Sequence, residues 1–313
     1  MKNKAIILMG ICLVITLQTG MAQLWMQKVD GGYLVMEGEQ NVAFYQYNLT
    51  GPTPDLMRNN FLHPVYLPDE TVITENAPDD HMHHRGIFWA WHQILIGSEQ
   101  VSDSWDLRNF ITDIKRVRFK TLKNGNGRLK TKTFWLSPQY KDAGKAYMKE
   151  EVTSIFHPKT QNYRIIDVII TLTPLVDSLQ LGGSDDVKGY GGFSTRIKLP
   201  DDVRFFSSNG KVEPANEAVE AGDYMNISGT YAKDGTAPGG LLIYADPDNQ
   251  PGSPTWILRS KKSMQNAVFP GRKPVYLPKH RPLELKYSVV VYTGKIDVNQ
   301  VLNEIRSTFR KIK

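Results

Sequence analysis

Residues 79–92 read Asp-Asp-His-Met-His-His-Arg-Gly-Ile-Phe-Trp-Ala-Trp-His, and they concentrate side chains that move protons or hold ligands. Four of the chain's seven histidines fall there (His81, His83, His84 and His92), beside Asp79, Asp80, Arg85, Trp89 and Trp91. Histidine titrates near neutral pH and is the commonest proton-transfer side chain. A core strand has no use for such a load, because imidazole or guanidinium buried without partners is costly.

Taken as a strand, the stretch sorts into two faces. His81, His83, Arg85, Ile87, Trp89 and Trp91 share one; Met82, His84, Gly86, Phe88, Ala90 and His92 share the other. Residues two apart on a strand lie about 7 Å apart, so His81 and His83 are candidate ligands for one divalent metal. A metal centre needs at least a third protein ligand and an open position, and no His-Glu-x-x-His pattern supplies them. The other use of the cluster is acid–base work by His83 and His84, with Asp80 fixing an imidazole tautomer and Asp103 as a supporting acid. Arg85 and Arg196 then offer planar forks for a substrate carboxylate or paired hydroxyls. Trp89, Trp91, Trp105 and Trp256 have broad apolar faces that suit a sugar ring, although core packing is the commoner use of any single one of them. Histidines quietly bonded to main chain are the plain structural alternative.

Glycoside cleavage usually needs two carboxylates flanking the bond. Asp79, Asp80, Asp103, Glu150, Glu151, Asp167 and Asp185 are available, but spacing along the chain selects no pair. Glu150-Glu151 reads as a solvated strand end, and Asp167, between Ile166 and Val168, as the partner of another buried group. No Gly-x-Ser-x-Gly elbow occurs, and Gly189-Tyr190-Gly191-Gly192 lacks the strand-then-helix setting of a phosphate loop.

The elements that must position these residues are strands. Asn124-Gly125-Asn126-Gly127 sits between alternating runs at Ile114–Lys123 and Arg128–Leu136, a strong hairpin signal. Lys149–Phe156 and Tyr163–Leu175 form a second hairpin, and Ile165 to Leu172 is apolar on both parities, as in a central strand covered on both faces. Helical periodicity is clear only at the end, where Val298, Val301, Leu302, Ile305, Phe309 and Ile312 make one apolar face behind an Asp297 N-cap. Many strands with short turns predict an all-β fold, a large two-sheet antiparallel β-sandwich of the kind seen in sugar mutarotases, with a C-terminal amphipathic helix. No repeat or linker divides the chain, so residues 23–313 read as a single domain.

Met1–Ala22 reads as a secretory signal peptide: Lys2 and Lys4, the apolar run Ala5–Leu17, then Gly20-Met21-Ala22. The only cysteine, Cys12, lies inside it, so the processed chain has no disulfide or thiol chemistry. The expected location is periplasmic or secreted. No second stretch is apolar enough to span a membrane. The formal charge of +6 comes from scattered basic residues, as in Arg116, Arg118 and Lys120 alternating along a strand. No basic run with interleaved aromatics points to nucleic acid.

Asp80-His81-Met82-His83-His84-Arg85-Gly86 resembles the signature of a domain-of-unknown-function family called methane oxygenase PmoA-like, with Met82 where that family usually has proline. Asp103-Ser104-Trp105, Gly191–Arg196 and Thr255 to Phe269 echo its further elements more loosely, with Ala267-Val268 replacing a proline step. The resemblance spans roughly Gly31 to Thr293. Its members resemble secreted enzymes among bacterial polysaccharide-utilisation proteins, which implies work on sugars. Methane oxidation is not carried over, because the methane-oxidising subunit is a multi-helix membrane protein and this chain is built of strands. The expectation is an exported carbohydrate-active enzyme, hydrolase or lyase, acting on a small-molecule or oligosaccharide substrate. The alternatives are a non-catalytic glycan-binding protein and a metal-dependent oxidoreductase.

Overall fold

Strand Tyr163–Pro174 carries the run that is apolar on both parities, and its first eight residues are all buried. It lies between Met148–Phe156 and Leu283–Thr293 near the middle of a nine-stranded sheet. This computed structural model describes residues 22–313 except 143, 232–234, 251–253 and 313, and the side chains of 311 and 312 are likewise not described. Apart from Ala22, the expected leader lies outside the described residues.

The sheet runs, edge to edge, through Gly210–Val212, Arg204–Ser207, Tyr224–Thr230, Pro238–Ala245, Leu283–Thr293, Tyr163–Pro174, Met148–Phe156, Gly127–Leu136 and Ile111–Thr121. Its last pair is the hairpin expected at Asn124–Gly127, with Gly125 at φ 86° where a residue with a Cβ is strained. A second nine-stranded sheet is ordered Leu24–Val29, Gly32–Glu37, Gln40–Gln46, Phe61–Val65, Ile87–Ala90, Gly192–Thr195, Gln265–Val268, Thr255–Ile257 and Val219–Glu220. All named strand pairs are antiparallel. The inner faces of both sheets meet in one core that joins Val35, Trp89 and Phe193 to Ile166, Val168 and Val289. A four-stranded sheet (Val275–Leu277, Leu179–Gly182, Gln93–Ile96, Glu99–Ser102) adds Ile94, Val101 and Leu181 to that core. The fold is an all-β sandwich, with this third sheet beyond the two expected.

Helix Val298–Ile312 covers the outer face of the first sheet. Asp297 caps it, accepting from Gln300 N at 3.1 Å. Val301, Leu302, Ile305 and Phe309 pack on Tyr163, Ile165, Tyr244 and Val290.

The outer face of the second sheet carries a separate apolar patch of Phe61, Phe88, Ala90, Ile257 and Val268, over which Trp105 and Met264 pack. Here the expected strand at 79–92 fails for its first half. Asp79–Gly86 is a series of turns, with His81 N bonded to Pro78 O and His84 N to His81 O, and the strand begins only at Ile87. A cause is Gly86: a Cβ there would stand 2.2 Å from Leu62 O and 2.8 Å from the His63 Cβ, so the chain enters the strand pressed against its neighbour. Gly86→Ala is expected to destabilise the fold by roughly 2–4 kcal/mol through that clash, read as a lower denaturant midpoint. An unchanged midpoint would show that the neighbouring strand gives way.

Candidate functional site

Asp103 and two buried arginines build the floor. Arg58 donates to Ser104 O (2.8 Å) and Trp89 O (2.9 Å), tying the Ser104–Asp106 turn to the sheet. Arg85, fully buried, donates to Met82 O, His84 O and Leu56 O, which fixes the histidine turn. Burial lowers both guanidinium pKa values, to about 9 for Arg58 and about 10 for Arg85, still charged at neutral pH. Asp103 accepts from the main-chain N–H groups of Trp105 and Asp106 and from Arg108.

The turns gather three rings that a strand would have divided between its faces. His81 and His84 stack at 4.6 Å with 3° between planes, and His83 meets His84 edge-on at 4.6 Å. Asp80 accepts from His81 Nδ1 at 2.8 Å, which leaves His81 Nε2 as its basic nitrogen. Arg196 grips Asp80 with both terminal nitrogens (2.9 Å each) and Glu75 with Nε (2.8 Å). Burial alone would raise the Asp80 carboxyl, but Arg196 and His81 hold it below the usual carboxylate range.

His83 and His84 are kept neutral. Burial lowers the His83 pKa to about 4; Asp106 opposes the shift, and His81, His92 and Arg85 add to it. Burial and the adjacent His83 and His81 depress His84 further, and its Nδ1 is buried without a partner. Among the described residues His83 has ring contacts and no hydrogen-bond partner. It offers a neutral imidazole with nothing else to do.

These rings open into a cleft of about 160 Å³ whose other walls are Trp105, Asp106, Lys188, Tyr190, Arg259 and Met264. His92 lies behind it, stacked on Trp105 at 5.5 Å and edge-on to Tyr190 at 4.8 Å. Its Nδ1 donates to Asp103 Oδ2 at 3.0 Å, and its Nε2 is buried without a partner. Tyr190 is carried by a loop folded around Asp186, which accepts from Ser184 Oγ, Lys188 N and Gly189 N. Burial, then Asp106, Asp186 and Asp103, raise the Tyr190 phenol above its ordinary range, so it stays protonated and can donate. Larger concavities exist, about 590 Å³ beside Arg58, Asp106 and Arg108 and about 760 Å³ along the C-terminal helix. Neither is lined by His81, His83 or His84, and the first adjoins the cleft through Asp106.

Several expected roles change with this geometry. Arg85 is no substrate fork: its terminal nitrogens donate to main-chain carbonyls inside the protein, and its Nε is buried without a partner. Arg196 is 2 % exposed and has all three nitrogens engaged by Asp80 and Glu75. Asp80 orients His81, not His83 or His84. Trp89 points into the sandwich, where its indole donates to Glu150 Oε2, and Trp256 is buried with its indole on Gly222 O. Neither presents a face to a sugar; Trp105 and Tyr190 stand where such a face is available. Asp103 is buried, and although burial raises its carboxyl, His92, the Asp106 N–H and Arg108 hold it below the usual range, so it accepts and supplies no proton. Glu150 is no solvated strand end: it is 1 % exposed and accepts from Asn60, Trp89 and Trp135. Asp167 does serve a buried partner set, accepting from His157 Nε2 and Ser288 Oγ.

Among the described residues, His92, Asp103 and Asp106 form a group of three ligand-bearing side chains whose atoms all lie within 4.8 Å of one another; the expected pair His81 and His83 stands with ring centroids 5.9 Å apart. Arg108 donates to Asp103 at 2.8 Å and lies 3.2 Å from Asp106, so a cation already neutralises those carboxylates.

The depressed histidines make stability depend on pH. His63, which bonds Thr74 Oγ1, is also lowered to about 4 by burial, then by Lys198 and Arg85. Between about 6.5 and about 4 the unfolded chain binds protons that folded His63 and His83 refuse. Stability is therefore full above the unfolded value and is lost as pH falls to about 4, on the order of 3 kcal/mol for each ring at most. Urea midpoints at pH 7 and pH 5 check this: His63→Gln is expected to flatten the drop, and an unchanged drop contradicts it.

No curated protein matches the chain. A family profile matches residues 33–305, and its description carries neither the PmoA-like designation nor a His-His-Arg-Gly signature. By that match, over most of its length, the chain belongs to the Family of unknown function (DUF6807).

Proposed function

We propose that this protein is an exported carbohydrate-active enzyme, a hydrolase or lyase, that works by proton transfer in the histidine cleft. The observation that carries the reading is the gathering of His81, His83 and His84 beside Trp105 and Tyr190 in one solvent-reachable concavity. Neutral imidazole accepts a proton at physiological pH, and flat aromatic walls suit the apolar faces of sugar rings. Export is read from the Met1–Ala22 leader pattern, and sugar chemistry from the Asp80–Gly86 resemblance to PmoA-like proteins of polysaccharide utilisation.

His83 serves as the proton acceptor. His81, aligned by Asp80, meets it edge-on, and His92, aligned by Asp103, stands behind the cleft against Trp105 and Tyr190. The test is an oligosaccharide screen that includes acidic and keto sugars, with wild type and His83→Ala side by side. Turnover by wild type and its loss in the variant support the reading; equal turnover removes His83 from the mechanism.

A further inference from the structure

The cleft has an unusual charge content for a glycoside-cleaving site. Among the described residues its single lining carboxylate is Asp106, which already sits 3.2 Å from Arg108. Hydrolysis by the common two-carboxylate route has no second carboxylate to use there.

Cations are the larger presence. Arg259 lines the cleft with three N–H groups on the main-chain carbonyls of Ala215, Leu258 and Asn216 and with no carboxylate bonded to it among the described residues. Its Nε–H and a second Nη2–H remain free for a ligand. Lys188, also on the wall, is only loosely tied, with Nζ 4.0 Å from Asp186. A half-buried guanidinium without a counter-ion raises the affinity of its surroundings for an anion, and its planar fork matches a carboxylate. Beside these cations stand two imidazoles and one phenol without hydrogen-bond partners among the described residues, His83, His84 and Tyr190, and of the two rings His84 is the more deeply buried.

We infer that the sugar taken by this cleft bears a carboxylate, a hexuronate residue of an oligosaccharide, and that the cleft eliminates across its glycosidic bond. This deepens the reading of a carbohydrate-active site and rests on it. Arg259 and Lys188 bind the carboxylate and stabilise the charge that develops when the neighbouring C5–H is removed. His83 takes that proton, and the C5–H electron pair becomes the C4=C5 double bond. The C4–O bond breaks, and Tyr190 delivers a proton to the departing oxygen. The step is redox-neutral and consumes no water. Proton return from His83 to the tyrosinate through solvent resets the site.

The experiment uses the processed protein on 4-linked oligo-uronides (galacturonate, mannuronate and glucuronate types), each paired with its carboxyl-reduced, neutral counterpart, in ¹⁸O-labelled water. The expected result is an unsaturated, ultraviolet-absorbing product without ¹⁸O, formed at least about 100-fold faster from the acid than from its neutral counterpart. Lys188→Met and Arg259→Gln are expected to raise KM roughly tenfold on the acid, and Tyr190→Phe to lower kcat with KM unchanged. Because Arg259 also holds three carbonyls, Lys188→Met on the exposed loop carries the test if the arginine variant does not fold. Product containing ¹⁸O, or equal rates on acid and neutral sugars, overturns the elimination while leaving a carbohydrate-active site in place. No turnover of any sugar, acid or neutral, overturns both readings.

Discussion

Replacing His83 with alanine is expected to lower kcat about 10²–10⁴-fold, the usual range for loss of a positioned general base, while the folded state keeps most of its stability. The separation follows from what the ring does not do. His83 holds no hydrogen bond among the described residues, so its removal orphans no donor or acceptor. His84 behaves differently, being buried between His81 and Trp105, so its loss opens a cavity and confuses catalysis with folding. The pH profile adds a second readout. The groups facing His83 are His81, His84, His92, Arg85 and Asp106, and only Asp106 favours its protonated form. With the pKa lowered to about 4, the base is competent above that value, so the acid limb of kcat/KM should fall near pH 4. A limb near 6.5, the ordinary imidazole value, would hand the role to another histidine.

Arg196→Leu is the second large effect. It is expected to cost about 3 kcal/mol, the low end of the range for removing one partner of a buried ion pair. The guanidinium is 2 % exposed, whereas the side chains of Asp80 and Glu75 are 24 % and 33 % exposed, so water offsets part of the loss. The same change frees Asp80, and with it His81, whose Nδ1 bond is its link to the arginine. Arg196→Lys should recover little, because an ammonium cannot reproduce the two parallel bonds to Asp80 together with the one to Glu75. Asp80→Asn in the Arg196→Leu background should recover part of the stability by removing a stranded charge. Denaturant unfolding of these three variants and of Asp80→Asn alone checks the set. Additive losses from Arg196→Leu and Asp80→Asn would show that the pair is not coupled.

Much of the frame was legible where the chemistry is local. Asn-Gly between alternating runs produces its hairpin through turn geometry alone, and Asp297 with the apolar face behind it announces the C-terminal helix. A run apolar on both parities marks a strand covered on both sides wherever it pairs. The candidate site was legible only as a density of imidazoles. Alternation was the wrong geometry for Asp79–Gly86, because close approach to Leu62 and His63 and the carbonyls collected by Arg85 impose turns instead. Turns bring His84 to the side of His81 and His83, and they leave Trp89 on the inward parity of a strand that starts late. Tyr190, Lys188 and Arg259 come from loops about 100 or more residues away in sequence and carry no local pattern, and Glu150 is buried because two indoles and Asn60 close over it. Contacts of that range follow from sheet order, which no single stretch of sequence encodes.

On the proposed function, sugar occupies the cleft formed by the histidine turn. Ring ¹⁵N spectra of histidine-labelled protein, recorded while an oligo-uronide is added to the inactive His83→Ala variant, address it most directly. Shifts are expected at His81, His84 and His92, which line or back the cleft, and none at His157 or His280, which lie elsewhere. Saturable binding that moves His157 alone, or moves no histidine, would place the sugar outside the cleft and rule out this site.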